Sequence, residues 1–311
     1  MKFALTLLAL VAVAQAKYLQ VDLEDNTAYN YLAKYGLPLA EKIRAAEEAT
    51  SQNRIVGGLP SPATAFPHQG VCGGSLISRE KVVTAAHCWF DGVSQASSFT
   101  VVLGSTTLFF GGARINTNQV IMHPEWNPHT VSNDIAVIHL PNGGVALTTS
   151  IRPVALPSGS LLNEHFAGEI ANATGFGLTS DANSVSFQRI LSVCSPITVS
   201  FRKCLQFLYF SKGGYISTGQ FLSHVQLTVI SNTNCSLSYP AFIQDSNICT
   251  SGAEGRSTCS GDSGGPLTVQ RNGLPLLIGV TSFGSAAGCQ AGYPAAFARV
   301  TAYIDFINQY L

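Results

Sequence analysis

The run Ser257-Thr-Cys-Ser-Gly-Asp-Ser-Gly-Gly-Pro266 sets one hydroxyl, Ser263, among glycines, with a carboxylate, Asp262, directly before it. Taken alone it is ambiguous, because Gly, Ser, Asp and Pro are also the residues of ordinary turns. A serine hydroxyl is a weak nucleophile at its own pKa, so Ser263 can act only beside a base that a third group orients. Two other stretches supply those residue types. Thr84-Ala-Ala-His87-Cys88 follows a β-branched run, and Ser132-Asn-Asp134-Ile-Ala-Val opens an apolar strand with an acid. Seven histidines occur in the chain, so His87 by itself reads most simply as a structural or surface residue. Asp134 by itself reads as a turn acid at the start of a strand.

The rest of the sequence narrows the class. In 311 residues, 46% hydrophobic content and 11% charge imply a large buried fraction, arranged as one domain with two cores or as two small domains. Seventeen basic residues balance seventeen acidic ones with no long run of either sign, so neither nucleic acid nor a membrane surface is an expected partner. Met1-Lys2 precedes an apolar run, Phe3 to Val13, that ends in Ala14-Gln15-Ala16; residues 1–16 read as a signal peptide, too short to span a bilayer. Secretion into an oxidising space makes the eight cysteines candidate disulfides, and without a CxxC pair zinc is disfavoured; no metal or cofactor is expected.

Residues 17–54 differ in character from the remainder of the chain. Pro38-Leu-Ala-Glu-Lys-Ile-Arg-Ala-Ala-Glu-Glu-Ala-Thr50 is rich in helix formers, with Pro38 placed to start a helix. From Ile55 onward short β-branched or aromatic runs, Lys81-Val-Val-Thr, Phe99-Thr-Val-Val-Leu, Asp134-Ile-Ala-Val-Ile-His-Leu and Leu277-Ile-Gly-Val-Thr-Ser-Phe, alternate with Gly, Pro, Asn and Ser. That is the pattern of an all-β barrel or sandwich. Only Val300 to Leu311 spaces its apolar residues helically, at Val300, Ile304, Ile307 and Leu311, which predicts a terminal helix.

Ile55-Val-Gly-Gly, Thr84-Ala-Ala-His-Cys88, Asp134-Ile-Ala-Val and Gly261-Asp-Ser-Gly-Gly-Pro266, in that order, resemble the chymotrypsin/trypsin family of serine endopeptidases in zymogen form, and three implied bridges, Phe283 where a Trp is usual and Cys289-Gln-Ala-Gly-Tyr-Pro-Ala295 look most like the insect midgut chymotrypsins. The resemblance implies two antiparallel Greek-key six-stranded β-barrels over residues 55–311, with their boundary at about 155–170 and a C-terminal helix. It implies that Ser263 attacks the scissile carbonyl, that His87 is the general base and Asp134 its orienting acid, and that the backbone N–H groups of Gly261 and Ser263 receive the oxyanion. Residues 17–54 become an activation propeptide, cut after Arg54 by a trypsin-like protease, so that the new amino group of Ile55 pairs with Asp262. Cys72 pairs with Cys88, Cys235 with Cys249, and Cys259 with Cys289.

The same resemblance makes Ser257 the floor of the primary pocket. A neutral floor leaves a basic substrate side chain without a counter-charge. Ser282, Phe283 and Gly284 match the segment that pairs with extended substrate, and Gly284 keeps the entrance open. Cleavage after Phe, Tyr or Leu is expected; Ala295, where many relatives carry glycine, keeps elastase-like cleavage after smaller residues open. Three lysines, Lys81, Lys203 and Lys212, against eight arginines in residues 55–311 suit an alkaline gut lumen. The implied enzyme is a digestive monomer acting on proteins or peptides and met by protein inhibitors.

Two features depart from the family. Between Ile55 and Cys72 the chain is short by about one strand. Gly177 and Leu222 stand 45 positions apart where relatives need about a dozen, and the stretch at about 186–220 is apolar and holds Cys194 and Cys204. A misread exon boundary accounts for both; a genuine hairpin stapled by Cys194 and Cys204 is the alternative. An inactive homologue used for binding is the rival class, set against the presence of His87, Asp134 and Ser263.

Overall fold

The computed structural model describes residues 26–51, 71–181 and 222–311. The leader at 1–16, Arg54 and Ile55, most of the shortened stretch before Cys72, and the insertion with Cys194 and Cys204 lie outside the described residues. The chain first appears as a turn at Asn26–Asn30, followed by a π-helical turn, Leu32–Gly36, that runs straight into α1, Leu37–Ser51. Pro38 explains the wide turn. It has no N–H to give, and its ring would collide with the carbonyl four residues back in a tight α-turn; the looser π-turn, closed by Leu37 N–H to the Leu32 carbonyl, gives it room. Leu39, Ala40 and Ile43 form the buried stripe of α1, packed on Val71, Leu108, Phe109 and Leu178.

Six strands come next: β1 (Ser75–Leu76), β2 (Lys81–Thr84), β3 (Phe99–Leu103), β4 (Ala113–Thr117), β5 (Val120–Met122) and β6 (Ala136–His139). Among the described residues they make a four-stranded sheet in the order β1-β2-β6-β5 and a separate ribbon β3-β4. One apolar cluster, with Leu76, Val82, Val101, Ile138 and Leu140, fills the space between them.

The second half is a closed six-stranded barrel. β7 (Ile170–Gly175), β8 (Ser223–Ile230), the short α2 (Asn232–Ser236), β9 (Asn247–Thr250), β10 (Pro266–Arg271), β11 (Leu274–Phe283) and β12 (Ala295–Arg299) succeed one another in chain order. Around the barrel the order is β10-β11-β12-β9-β8-β7, all pairs antiparallel, with β10 returning to β7. Closure leaves no unpaired edge, and its interior is packed by Leu227, Ile248, Leu267, Ile278 and Phe297. Asn172, in a sequence suited to glycosylation, sits inside β7 between β8 and β10.

A third cluster ties the halves together: Val83, Ile135 and Val137 of the first meet Leu277, Val280 and Ala298 of the second. The chain ends in a 3-10 turn, Val300–Tyr303, and α3, Ile304–Asn308. The tight first turn rotates the buried seam onto Val300, Tyr303, Phe306 and Ile307, leaving Leu311 55% exposed rather than on the apolar face that its spacing predicts. Three disulfides hold this frame, Cys72–Cys88, Cys235–Cys249 and Cys259–Cys289, the pairs the resemblance implies.

Candidate active site

Strand pairing brings the histidine and the acid together. β2 runs antiparallel to β6 with Thr84 opposite Ala136, so the residues just beyond, His87 on a 3-10 turn and Asp134 on the approach to β6, emerge side by side. Asp134 Oδ2 lies 2.7 Å from His87 Nδ1, and Oδ1 accepts the His87 backbone N–H at 2.9 Å. Both side chains are buried. The second half contributes Ser282 of β11, whose Oγ donates to Asp134 Oδ2 at 2.5 Å. Three donors on one carboxylate fix its position and, through it, the ring and its tautomer. Cys88, bridged to Cys72, anchors the turn that carries His87.

Ser263 lies in the turn that leads into β10. Its carbonyl accepts from Gly73 N–H at 2.6 Å, and the adjoining Gly264 N–H donates to the Thr281 carbonyl at 2.8 Å, so both halves of the molecule hold the turn. Gly261 has φ +99°, a conformation that side chains resist, which is why glycine precedes Asp262 here.

Asp262 points away from the cleft. Its carboxylate accepts the backbone N–H groups of Gly177 and Cys259, each at 2.9 Å, and no cation among the described residues neutralises it. Burial pushes its pKa up to about 6 while the two N–H groups pull it back. A Cβ at Gly177 would stand 2.5 Å from that carboxyl carbon, so glycine is required for the approach. A cavity of about 240 Å³, lined by Gly175, Gly177, Ser257 and Cys259, reaches the same carboxyl.

In the second half a cavity of about 200 Å³ is lined by Ser257, Ser263, Ser282, Phe283 and Gly284. Phe283 turns its ring outward onto Tyr239 and Phe242, so it presents backbone to the cavity. Ala295 is not on the lining: it is 1% exposed in the barrel core, and its neighbours Tyr293 and Pro294 face the cavity instead. The wall also includes an acid that the sequence reading passed over. Asp181 lines the cavity, with its carboxylate accepting Cys289 N–H at 2.7 Å and Gln290 N–H at 2.9 Å.

The larger omission is the N-terminal segment, which lies across these residues. The Tyr31 ring meets the His87 ring edge-on, 4.9 Å between centroids and 71° between planes, and its hydroxyl donates to the Val71 carbonyl at 2.7 Å. The phenol oxygen lies near the Ser263 side chain and the Gly261 backbone, and burial drives the phenol pKa well above its usual range. A signal was present in the sequence: tyrosines at 29, 31 and 35 and leucines at 32, 37 and 39 are apolar enough to mark an activation propeptide that packs on the rest of the chain.

Comparison with known proteins agrees with this frame. The model of a family described as Trypsin matches residues 55–220 and 208–307, two stretches that overlap inside the insertion. The chain is 35% identical over 271 residues to a protein named Collagenase from Hypoderma lineatum, with 83% of this chain and 87% of that one covered. It is 38% identical over 265 residues to Brachyurin from Leptuca pugilator, covering 82% and 97% respectively. A solved structure titled HL collagenase matches with a TM-score of 0.60 at 36% identity, over 78% of this chain and 87% of that chain.

Proposed function

Because the chain belongs to the trypsin family of serine peptidases, we propose that it is a secreted digestive endopeptidase, made as a precursor, that cleaves proteins after large apolar residues. The observation that carries this reading is the buried His87–Asp134 pair, 2.7 Å apart, together with Ser263 on the lining of a cavity that also includes the neutral Ser257. Ser263 attacks the substrate carbonyl and loses its proton to His87 Nε2; Asp134 stabilises the imidazolium that forms. The oxyanion is received by the Gly261 and Ser263 N–H groups, and collapse to the acyl-enzyme returns the proton to the leaving amine. Water then repeats the sequence in reverse.

Cleavage after Arg54 frees the Ile55 amino group. Asp262, with its raised pKa and an open cavity beside it, is suited to receive that cation. Maturation then removes residues 17–54 after the leader 1–16 has gone, and residues 55–311 remain as the enzyme. Among the described residues no helix is long and apolar enough to cross a membrane. The names of the relatives add collagen to the substrates worth testing.

A second reading rests on Asp181. A carboxylate on the cavity wall offers partial compensation to a basic side chain, so cleavage after Arg would accompany cleavage after Phe. The test is hydrolysis of matched Phe, Leu, Ala and Arg peptide anilides before and after limited trypsin treatment. Activity on Phe and Leu that appears only after cleavage at Arg54 is the expected result; Arg hydrolysis lost in Asp181→Asn would establish the second reading. Activity on none of the four, with cleavage complete, would overturn the proposed function.

A further inference from the structure

The N-terminal segment meets several of the groups that a substrate would need. Tyr31 is 1% exposed, and its phenol oxygen lies against the Ser263 side chain and the Gly261 backbone, where the carbonyl oxygen of a scissile bond belongs. Its ring covers His87, whose Nε2 is buried and has no hydrogen-bond partner among the described residues. Leu39 packs on Gly261 closely enough that a Cβ there would stand 2.2 Å from its Cδ2. Farther along the cleft, Asn26 forms an antiparallel bridge with Ser285, and the Thr27 hydroxyl accepts Gly284 N–H at 3.0 Å. Those are the backbone groups that extended substrate would use.

The segment is fastened by more than the cleft. Asp91, fully buried in the first half, accepts Leu32 N–H through Oδ2 at 2.8 Å, and its carbonyl accepts Asn30 N–H at 3.1 Å. At the far end of the segment the Glu47 carboxylate accepts the N–H groups of Leu108 and Phe109 at 2.6 and 2.8 Å, and the Arg44 guanidinium lies over the Phe109 ring. Complementary polar pairs at both ends and an apolar stripe between them make a specific interface rather than a chance collapse.

We propose that Asn26–Ser51 is a built-in competitive inhibitor, with Tyr31 seated in the oxyanion position as a plug, and that it remains inhibitory as a separate peptide after cleavage. The proposal rests on the precursor reading above. It differs from inactivity caused by an unformed oxyanion site, since here the site is filled. The plug escapes hydrolysis because it presents a phenol to Ser263 in place of a peptide carbonyl. Residues 17–54 contain no cysteine, so no disulfide ties the segment down once the Arg54–Ile55 bond is cut, and release depends on affinity and dilution.

Two measurements test this. In the uncut chain carrying Arg54→Gln, Tyr31→Ala is expected to speed labelling of Ser263 by a fluorophosphonate at least about tenfold, and Tyr31→Phe by less. An unchanged labelling rate in both variants overturns the plug. Separately, a fluorescent peptide of residues 26–51 is titrated with cut protein carrying Ser263→Ala, which cannot digest it, and binding is read by anisotropy. Saturable binding weakened about tenfold or more by Tyr31→Ala in the peptide supports the proposal, and equal binding of the two peptides overturns it. Because anisotropy needs no turnover, it tests the plug even if the cut wild-type chain hydrolyses none of the anilides, the result that would sink the proposed function alone.

Discussion

At the scale of single residues, Asp134 sets the geometry around His87, with three donors on its two oxygens. Asp134→Asn keeps the shape but offers an amide where His87 Nδ1–H needs an acceptor. The expected result is a fall in kcat on the order of 10⁴-fold with KM little changed, read on the Phe anilide. Asp262 yields a prediction for the precursor. Its carboxyl titrates at about 6 in the fold against an ordinary 3.8, so folding takes up a proton between those values. The contribution of Asp262 therefore favours the precursor most below about pH 4 and is lost as the pH rises to about 6. Part of the side chain opens onto the neighbouring cavity, so the change is about 2 kcal/mol rather than the full shift. Urea unfolding of the Arg54→Gln chain from pH 4 to 7 should show that slope, and Asp262→Asn should remove it; parallel curves for the two proteins would refute the assignment. His87, Asp134 and Ser263 were legible because each sits in a local motif whose neighbours also bear on the chemistry. Tyr31 was not, since its contact with Ser263 joins residues more than two hundred positions apart, and the local run of tyrosines and leucines signals burial without saying what it covers. Ala295 was misleading for a different reason. Strand alternation turns its methyl into the barrel core and Ala296 toward the Cys235–Cys249 bridge, and that facing is decided by pairing with β9.

Among the elements, the strands with clean apolar runs could be read to the residue, as β2 and β3 were. β8 was hidden by its own alternation: Ser223-His-Val-Gln-Leu-Thr-Val-Ile230 buries Leu227 and Val229 and exposes polar residues between, so it stands out only once both neighbours are known. The helix predicted from Pro38 to Thr50 appears as α1, Leu37–Ser51, one residue longer at each end, with the π-turn before it giving the proline ring room. The disulfides separate stability from function at this scale. Cys259–Cys289 closes 30 positions and braces the cavity wall beside Ser257 and Asp181, whereas Cys235–Cys249 closes 14 and lies behind Phe283. Replacing either pair with serines should cost about 3–4 kcal/mol in urea unfolding, because loop entropy depends weakly on length. Their kinetic effects should differ. Loss of Cys259–Cys289 is expected to raise KM for the Phe anilide at least about tenfold, and loss of Cys235–Cys249 to leave it within about threefold. Equal changes in KM would mean that the cavity is braced by the barrel as a whole.

For the molecule as a whole, the question is whether the barrel needs the insertion between β7 and β8. These strands pair continuously from Ile170 opposite Thr228 to Gly175 opposite Ser223, and each has its other neighbour, β10 or β9. Both stems of the connection are fastened before the insertion begins. On one side the Asp181 carboxylate accepts the N–H groups of Cys289 and Gln290; on the other, Leu222 N–H donates to the Thr106 carbonyl at 3.1 Å. None of these bonds involves residues 186–220, so the closed barrel and the cleft should form without them. Replacing 186–220 with a short Gly/Ser linker shortens the loop by roughly two halvings, which lowers its closure entropy cost by about 1 kcal/mol. For a chain of this size that corresponds to a rise in Tm of about 2–4 °C, with kcat on the Phe anilide unchanged. The replacement also takes away Cys194 and Cys204, so refolding yields should rise as fewer wrong bridges compete. A fall in Tm beyond about 5 °C with loss of activity would reverse the conclusion: the apolar stretch would then be a working part of the fold, and a hairpin stapled by Cys194 and Cys204 would be the structure to look for.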